Sequence, residues 1–241
     1  MLNSVTFGTR RRAAGVVTVL LVLAGCKPAG THFYPLEASH WWHYAVHDAI
    51  LDERHHNRYL MHNVGLAAGM DNNTYRQTAQ TGSADFLRYR GAGVERIARL
   101  RPGMRGPQAE REPHVLLPDP LSVGTTWKVT STLALAESRT FEPRDRIIAR
   151  RLPVELHKQV VSLDTAVEVP AGRFEHCLLI EGRGLASVPT DRGNGSATVS
   201  VEVSEWYAAG VGLIKLERVE RSTSSFLKSG QQRWELLDYG H

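Results

Sequence analysis

Histidine is the residue type in this chain with the clearest capacity for chemistry. Seven of the eleven histidines (His32, His40, His43, His47, His55, His56 and His62) fall between positions 32 and 62. Neutral imidazole ligates zinc or copper, and Asp48, Asp52 and Glu53 stand close enough in sequence to add oxygen ligands. On a strand, His43 and His47 share the face opposite Trp42 and Tyr44, which makes them the metal candidates. Their spacing matches no zinc signature, so solvent-facing strand histidines, without metal or cofactor, are the simpler expectation. A pH response of the cluster is an alternative reading of equal standing to metal binding.

Other chemistry finds less support. There is no Gly-x-Ser-x-Gly elbow, and neither Ser83 nor the run Ser222 to Ser225 sits in a nucleophile motif. Glu202 and Glu205 read as alternating strand positions beside Trp206. Cys177, in Cys177-Leu178-Leu179-Ile180, reads as a core thiol. No catalytic residue is assigned, and a non-enzymatic protein is expected.

The elements that must carry these residues are strands. Trp42, Tyr44 and Val46 alternate with His43, Ala45 and His47, the period of a half-buried strand. Further strands are expected at 59–64, 74–81, 85–90, 94–100, 127–135, 147–151, 154–163, 166–169, 174–181, 197–207, 212–221 and 232–239. Residues 101–113, with Pro102, Gly103, Gly106, Pro107 and Pro113, read as a loop or internal boundary. Pro189 to Ser196 reads as a turn, and 134–139 as a short helical turn. Gly172, Gly210 and Gly212 supply turns and not a phosphate cradle. Strands at this spacing predict a mainly β fold, an antiparallel meander curling into a barrel or open half-barrel.

One pattern occurs twice. Pro35-Leu36, five residues and Trp42 recur as Pro120-Leu121, five residues and Trp127, with Tyr44 and Val129 two positions further on. Proline sets an extended approach, leucine plugs the core end, and the tryptophan opens a strand. The echo suggests two related halves, 34–113 and 114–241, within one β-rich domain at 34–241.

The N-terminus sets the address. Arg10, Arg11 and Arg12 precede an apolar run from Ala13 to Leu23, too short to span a bilayer. Residues 1–25 hold three of the basic residues and no acid, so without them the formal charge falls from +4 to +1. The high pI then owes much to that segment, and a basic nucleic-acid surface is not supported. Leu23-Ala24-Gly25-Cys26 resembles the lipobox of bacterial lipoproteins. The resemblance implies a signal peptide at 1–25, Cys26 acylated as the first mature residue and membrane anchor, and a linker at 26–33. Lys27, where aspartate would favour the inner membrane, implies the outer membrane and its periplasmic face. With Cys26 acylated, Cys177 has no disulfide partner.

Further along, Tyr34-Pro35-Leu36 with Trp42 and Tyr44, Leu121 to Trp127, Val169 to Phe174, and Trp206 to Lys215 resemble a group of exported bacterial β-rich proteins, often lipoproteins. That group is similar in outline to the LolA and LolB carriers, whose curved sheets hold acyl chains. The resemblance supplies no catalytic residues, and Glu37-Ala38-Ser39-His40 stands where relatives usually have a glycine turn. The resulting expectation is a membrane-anchored periplasmic lipoprotein whose concave, apolar face binds an apolar ligand or an envelope partner. A packed interior would instead point to a structural or assembly accessory, and converging His43 and His47 to a metal binder.

Overall fold

The computed structural model describes residues 32–50, 53–135, 152–190, 195–224 and 227–241. Twelve strands follow one another: β1 (Trp41–Ile50), β2 (Glu53–Leu66), β3 (Tyr75–Ala79), β4 (Ala84–Arg90), β5 (Gly93–Leu100), β6 (Gln108–Leu117), β7 (Thr126–Thr132), β8 (Pro153–Val169), β9 (Gly172–Thr190), β10 (Gly195–Ala208), β11 (Gly212–Ser222) and β12 (Gly230–Gly240). They form one antiparallel sheet in the order β6-β5-β4-β3-β2-β1-β12-β11-β10-β9-β8-β7. The sheet curls into a barrel that closes except at one seam, between β6 and β7. The mainly β meander expected from sequence is the observed fold.

The alternation read in the sequence becomes the inner and outer face of the barrel. Along β8, Val154, Leu156, Lys158 and Val160 are buried while Glu155, His157 and Gln159 face out. Along β10, Val199, Val201, Val203, Glu205 and Tyr207 form the matching buried row. Four strands differ from expectation. Residues 101–107 are a loop, but Gln108–Leu117 is a strand that contains Pro113. Proline is tolerated there because β6 is an edge strand, and its ladder with β5 is irregular between Arg96 and Ala98, opposite that stretch. The strands expected at 154–163 and 166–169 are one, since Ser162 to Thr165 only shifts the register with β9. Asp164 N donates to Ser162 Oγ at 3.0 Å, and Thr165 Oγ1 to Cys177 O at 3.0 Å. The hairpin strands β9 and β2 also run longer than their apolar cores suggested. Residues 1–31, with Cys26 and Lys27, lie outside the described residues. So do Asp52, the strand expected at 147–151, most of the 134–139 turn and the centre of the Pro189 to Ser196 turn.

The sequence echo has a geometric counterpart. Ser39 N donates to Asn63 O and Asn63 N to His40 O; Gly124 N donates to Val160 O and Val160 N to Thr125 O. Ser39 (φ 74) and Gly124 (φ 88) hold the same place in the repeated pattern and share the left-handed backbone. One residue pair further, the β2–β3 ladder shifts between Asn63 and Gly65, and the β8–β9 ladder between Val160 and Ser162.

Candidate functional site

The strands bring charged side chains together inside the barrel. Lys158 on β8 reaches past Gly182 on β9 to Glu205 on β10, donating from Nζ to both carboxylate oxygens at 2.7 and 2.8 Å. Gly182 is required for this path: a Cβ there would stand 2.8 Å from Val203 Cγ1 and 3.1 Å from Lys158 Cγ. Tyr207 donates its hydroxyl to the same Glu205 at 3.1 Å. Beside it, Tyr34 donates to Gln77 at 2.9 Å, Gln77 to Asn63 at 3.0 Å, and Asn63 to the Pro35 carbonyl at 2.9 Å. Burial raises the Tyr34 and Tyr207 phenols well above the ordinary range, with Asp85 adding to the first and Glu205 to the second.

A second group lines the end of the barrel formed by β2 to β5. Arg99 holds Asp85 through two bonds, at 2.7 and 3.1 Å, and Arg96 pairs with Asp85 at 3.5 Å and with Glu110 at 2.7 Å. His114, opposite Arg96 on β6, is pushed down to about 4, first by burial and then by the Arg96 and Lys158 cations. A cavity of about 300 Å³ opens here, lined by Tyr59, Met61, Gln77, Asp85, Arg99 and Arg101. At the same end, on the side formed by β7 and β11, Arg218 donates to Glu220 at 2.8 Å and to the Thr132 carbonyl at 2.7 Å. Glu220 also accepts from the Ala134 and Leu135 amides, both at 2.9 Å.

Chemically, this is a charge-balanced network. Lys158, Arg96 and Arg99 face Glu205, Glu110 and Asp85, so no carboxylate in it is left free to act as a base. Sequence periodicity placed Lys158 and Glu205 on strands, but the partnership spans 47 residues and has no local signal.

The residues singled out from sequence are placed as follows. Leu36 is fully buried against Leu87 and Val94, with Pro35 beside it. Trp42 donates from Nε1 to Val211 O at 2.5 Å, and Gly212, at φ +101, would set a Cβ 3.3 Å from that nitrogen. Trp127 donates from Nε1 to Val115 O at 3.3 Å, across the seam. Pro120 and Leu121 lie in the connection entering β7, where Leu121 packs on Leu117, Val160 and Leu178. Gly172 starts β9 at φ 132, Gly210 turns at φ 72, and the Trp206 ring sits under Lys215 Nζ at 5.0 Å. Cys177 is buried and its thiol is pushed up to about 11, first by burial and then by Glu175. His43 and His47 share the outer side of β1. His47 meets His56 with Nδ1 atoms 2.5 Å apart and lies 3.9 Å from Glu235. Asp48, on the other face, accepts from Gln232 at 2.8 Å. Among the described residues no three His, Cys, Asp or Glu side chains converge on a metal position.

No protein-family model and no curated protein matches the chain. Two solved structures share its outline. One is a candidate lipoprotein from Parabacteroides distasonis, at 13% identity and TM-score 0.42, covering 88% of this chain and 99% of its own. The other is a candidate exported protein with a YmcC-like fold from Bacteroides fragilis, at 14% identity and TM-score 0.46, covering 88% and 100%. Likenesses of this strength carry no weight for what the chain does.

Proposed function

We infer that this chain is a non-enzymatic envelope lipoprotein, anchored through acylated Cys26, whose barrel serves a protein partner and not an apolar cargo. The observation that carries this reading is the charged interior. An acyl chain needs a dry apolar lining, whereas the space between the sheet walls holds Lys158–Glu205, Arg218–Glu220 and the Asp85–Arg99–Arg96–Glu110 chain. Stripping those pairs of their partners to admit a lipid would cost several kcal/mol each, about what a few buried methylenes return. The outer face offers a more suitable contact. A groove of about 530 Å³ runs over β8, β9 and β10 between Glu155, His157, Arg183, Leu185 and Glu202, and Leu185 is 70% exposed within it. The periplasmic face of the outer membrane, implied by Lys27, is the proposed location.

Native mass spectrometry of the Cys26→Ser protein, exported to the periplasm and extracted for lipid, tests this. The expected result is a protein mass with no lipid bound. A stoichiometric acyl lipid or isoprenoid would overturn the partner reading and restore the carrier.

A further inference from the structure

The chain leaves the barrel at a definite place, and that place fixes which end can meet a membrane. The β1 start, the β2 end and the turns β4–β5, β6–β7, β8–β9 and β10–β11 all lie at one end of the barrel. His32 sits across that same end. Its carbonyl accepts from Gly210 N at 2.9 Å, and its ring stacks on Tyr89 at 4.4 Å. Tyr89 belongs to β4 and Gly210 to the β10–β11 turn, five to six strands apart around the twelve-strand ring. The first described residue therefore spans the mouth, and the next ones plug it: Tyr34 meets Tyr207, and Leu36 N donates to Tyr89 Oη at 2.9 Å.

Six residue steps separate Cys26 from His32, which at full extension cover about 20 Å. A lipid on Cys26 thus holds this end of the barrel against the bilayer. The exposed apolar side chains of the rim suit that contact. Val64 and Leu66 on β2 are 49% and 60% exposed, Val123 in the β6–β7 connection 61%, and Tyr239 on β12 36%. They lie on different sides of the exit point, not in one patch, so a single flat apolar surface reaches them where a compact ligand would not. Arg90 and Arg173, with side chains 72% and 64% exposed, stand at the same end, paired with Glu95 at 3.8 Å and Glu175 at 2.6 Å.

We propose that the rim carrying Leu66, Val123 and Tyr239 seats on the membrane surface, so that the lipoprotein is oriented as well as anchored. This rests on the acylation of Cys26 proposed above. The seated rim turns the opposite end, with Met104 and the Asp85–Arg99 cavity, away from the bilayer.

The test uses the full-length acylated protein in phosphatidylethanolamine–phosphatidylglycerol vesicles containing nitroxide-labelled lipid. A fluorophore is attached in turn to Leu66→Cys, Val123→Cys and Met104→Cys; native Cys177 is buried and does not compete. Quenching at positions 66 and 123 should exceed that at 104 about threefold, as for side chains several ångströms into the interface. Equal quenching at all three sites in protein that still floats with the vesicles would overturn the seating and leave the anchor standing. Failure to float would overturn the anchor, and the seating with it.

Discussion

β1 and β12 join the two six-strand sets of this barrel through ten paired residues, whereas β6 and β7 meet at the other join without a ladder. Each join is entered by a copy of the same Pro-Leu-x5-Trp device, and in each the tryptophan donates to a backbone carbonyl from elsewhere in the fold. What lies beneath differs. Under the sealed join are rings, with Trp234 centred 5.7 Å from Tyr44 and 4.8 Å from Tyr59. Towards the seam lie charges: Arg96 with Glu110, His114, and Lys158 with Glu205. Where backbone ladders close the wall, the interior is dry enough for aromatic packing. Where they do not, paired charges fill the space, and each is held by its partner, since the Lys158 and Glu205 side chains are only 9% and 10% exposed.

The largest test of this contrast compares the two tryptophans. Trp42 is 3% exposed and seals a join, so Trp42→Ala should cost about 4–5 kcal/mol, from the lost ring and its bond. Trp127 is only partly buried, and Trp127→Ala should cost about half as much, on the order of 2 kcal/mol. Guanidinium midpoints with unchanged m-values would read the difference; equal costs would mean that the seam is as well packed as the join.

Next comes the buried pair. Lys158→Ala leaves Glu205 charged and unpartnered except for Tyr207, and should cost about 3–4 kcal/mol. The double variant Lys158→Met with Glu205→Leu should return to within about 1 kcal/mol of the parent, because the charges stabilise little beyond their own desolvation. If the double variant stayed as unstable as the single one, the pair would be an irreplaceable structural contact.

The seam should also respond to acid. Folded His114 remains neutral down to about 4, while the unfolded chain takes up the proton near the ordinary value of 6.5. Between these two pH values the unfolded state binds more protons. Stability from this group is therefore complete above pH 6.5, falls as pH drops towards 4, and levels off below. The partly open seam screens the effect, leaving on the order of 2 kcal/mol or less. His114→Gln should flatten that part of the stability–pH curve; an unchanged slope would place the response elsewhere.

How far the sequence reveals this contrast depends on the range of each signal. Alternation placed β4, β5, β10, β11 and β12 within a residue or two, since one buried face imposes period two. It missed β6 because Pro102, Gly103, Pro107 and Pro113 read as a loop, and only the sheet order shows an edge where proline costs little. It identified Lys158 and Glu205 as residents of strands, but not as partners, since pairing across a glycine of an intervening strand has no local spacing. The apolar concave face was expected from the resemblance to curved acyl-chain carriers, and alternation could not correct it, since it cannot tell a lysine in an inward row from one facing solvent.

The smallest effect tests whether the two entry devices are equivalent. Ser39 and Gly124 occupy matching positions, and both backbones lie in the left-handed region. A side chain there strains the backbone by about 1–2 kcal/mol, while glycine loses about 0.5–1 kcal/mol more conformational freedom on folding. Ser39 is exposed, so Ser39→Gly should relieve the first cost at the expense of the second and stabilise by about 0.5 kcal/mol. A Cβ at position 124 would meet nothing within 4 Å, so Gly124→Ser should destabilise through the backbone alone and by a similar amount. Opposite shifts of similar size in thermal unfolding would show one turn used at both joins. A stabilised first turn with an indifferent second would show that the open seam lets residues 118–125 relax, which the ladder of β1 with β12 does not allow.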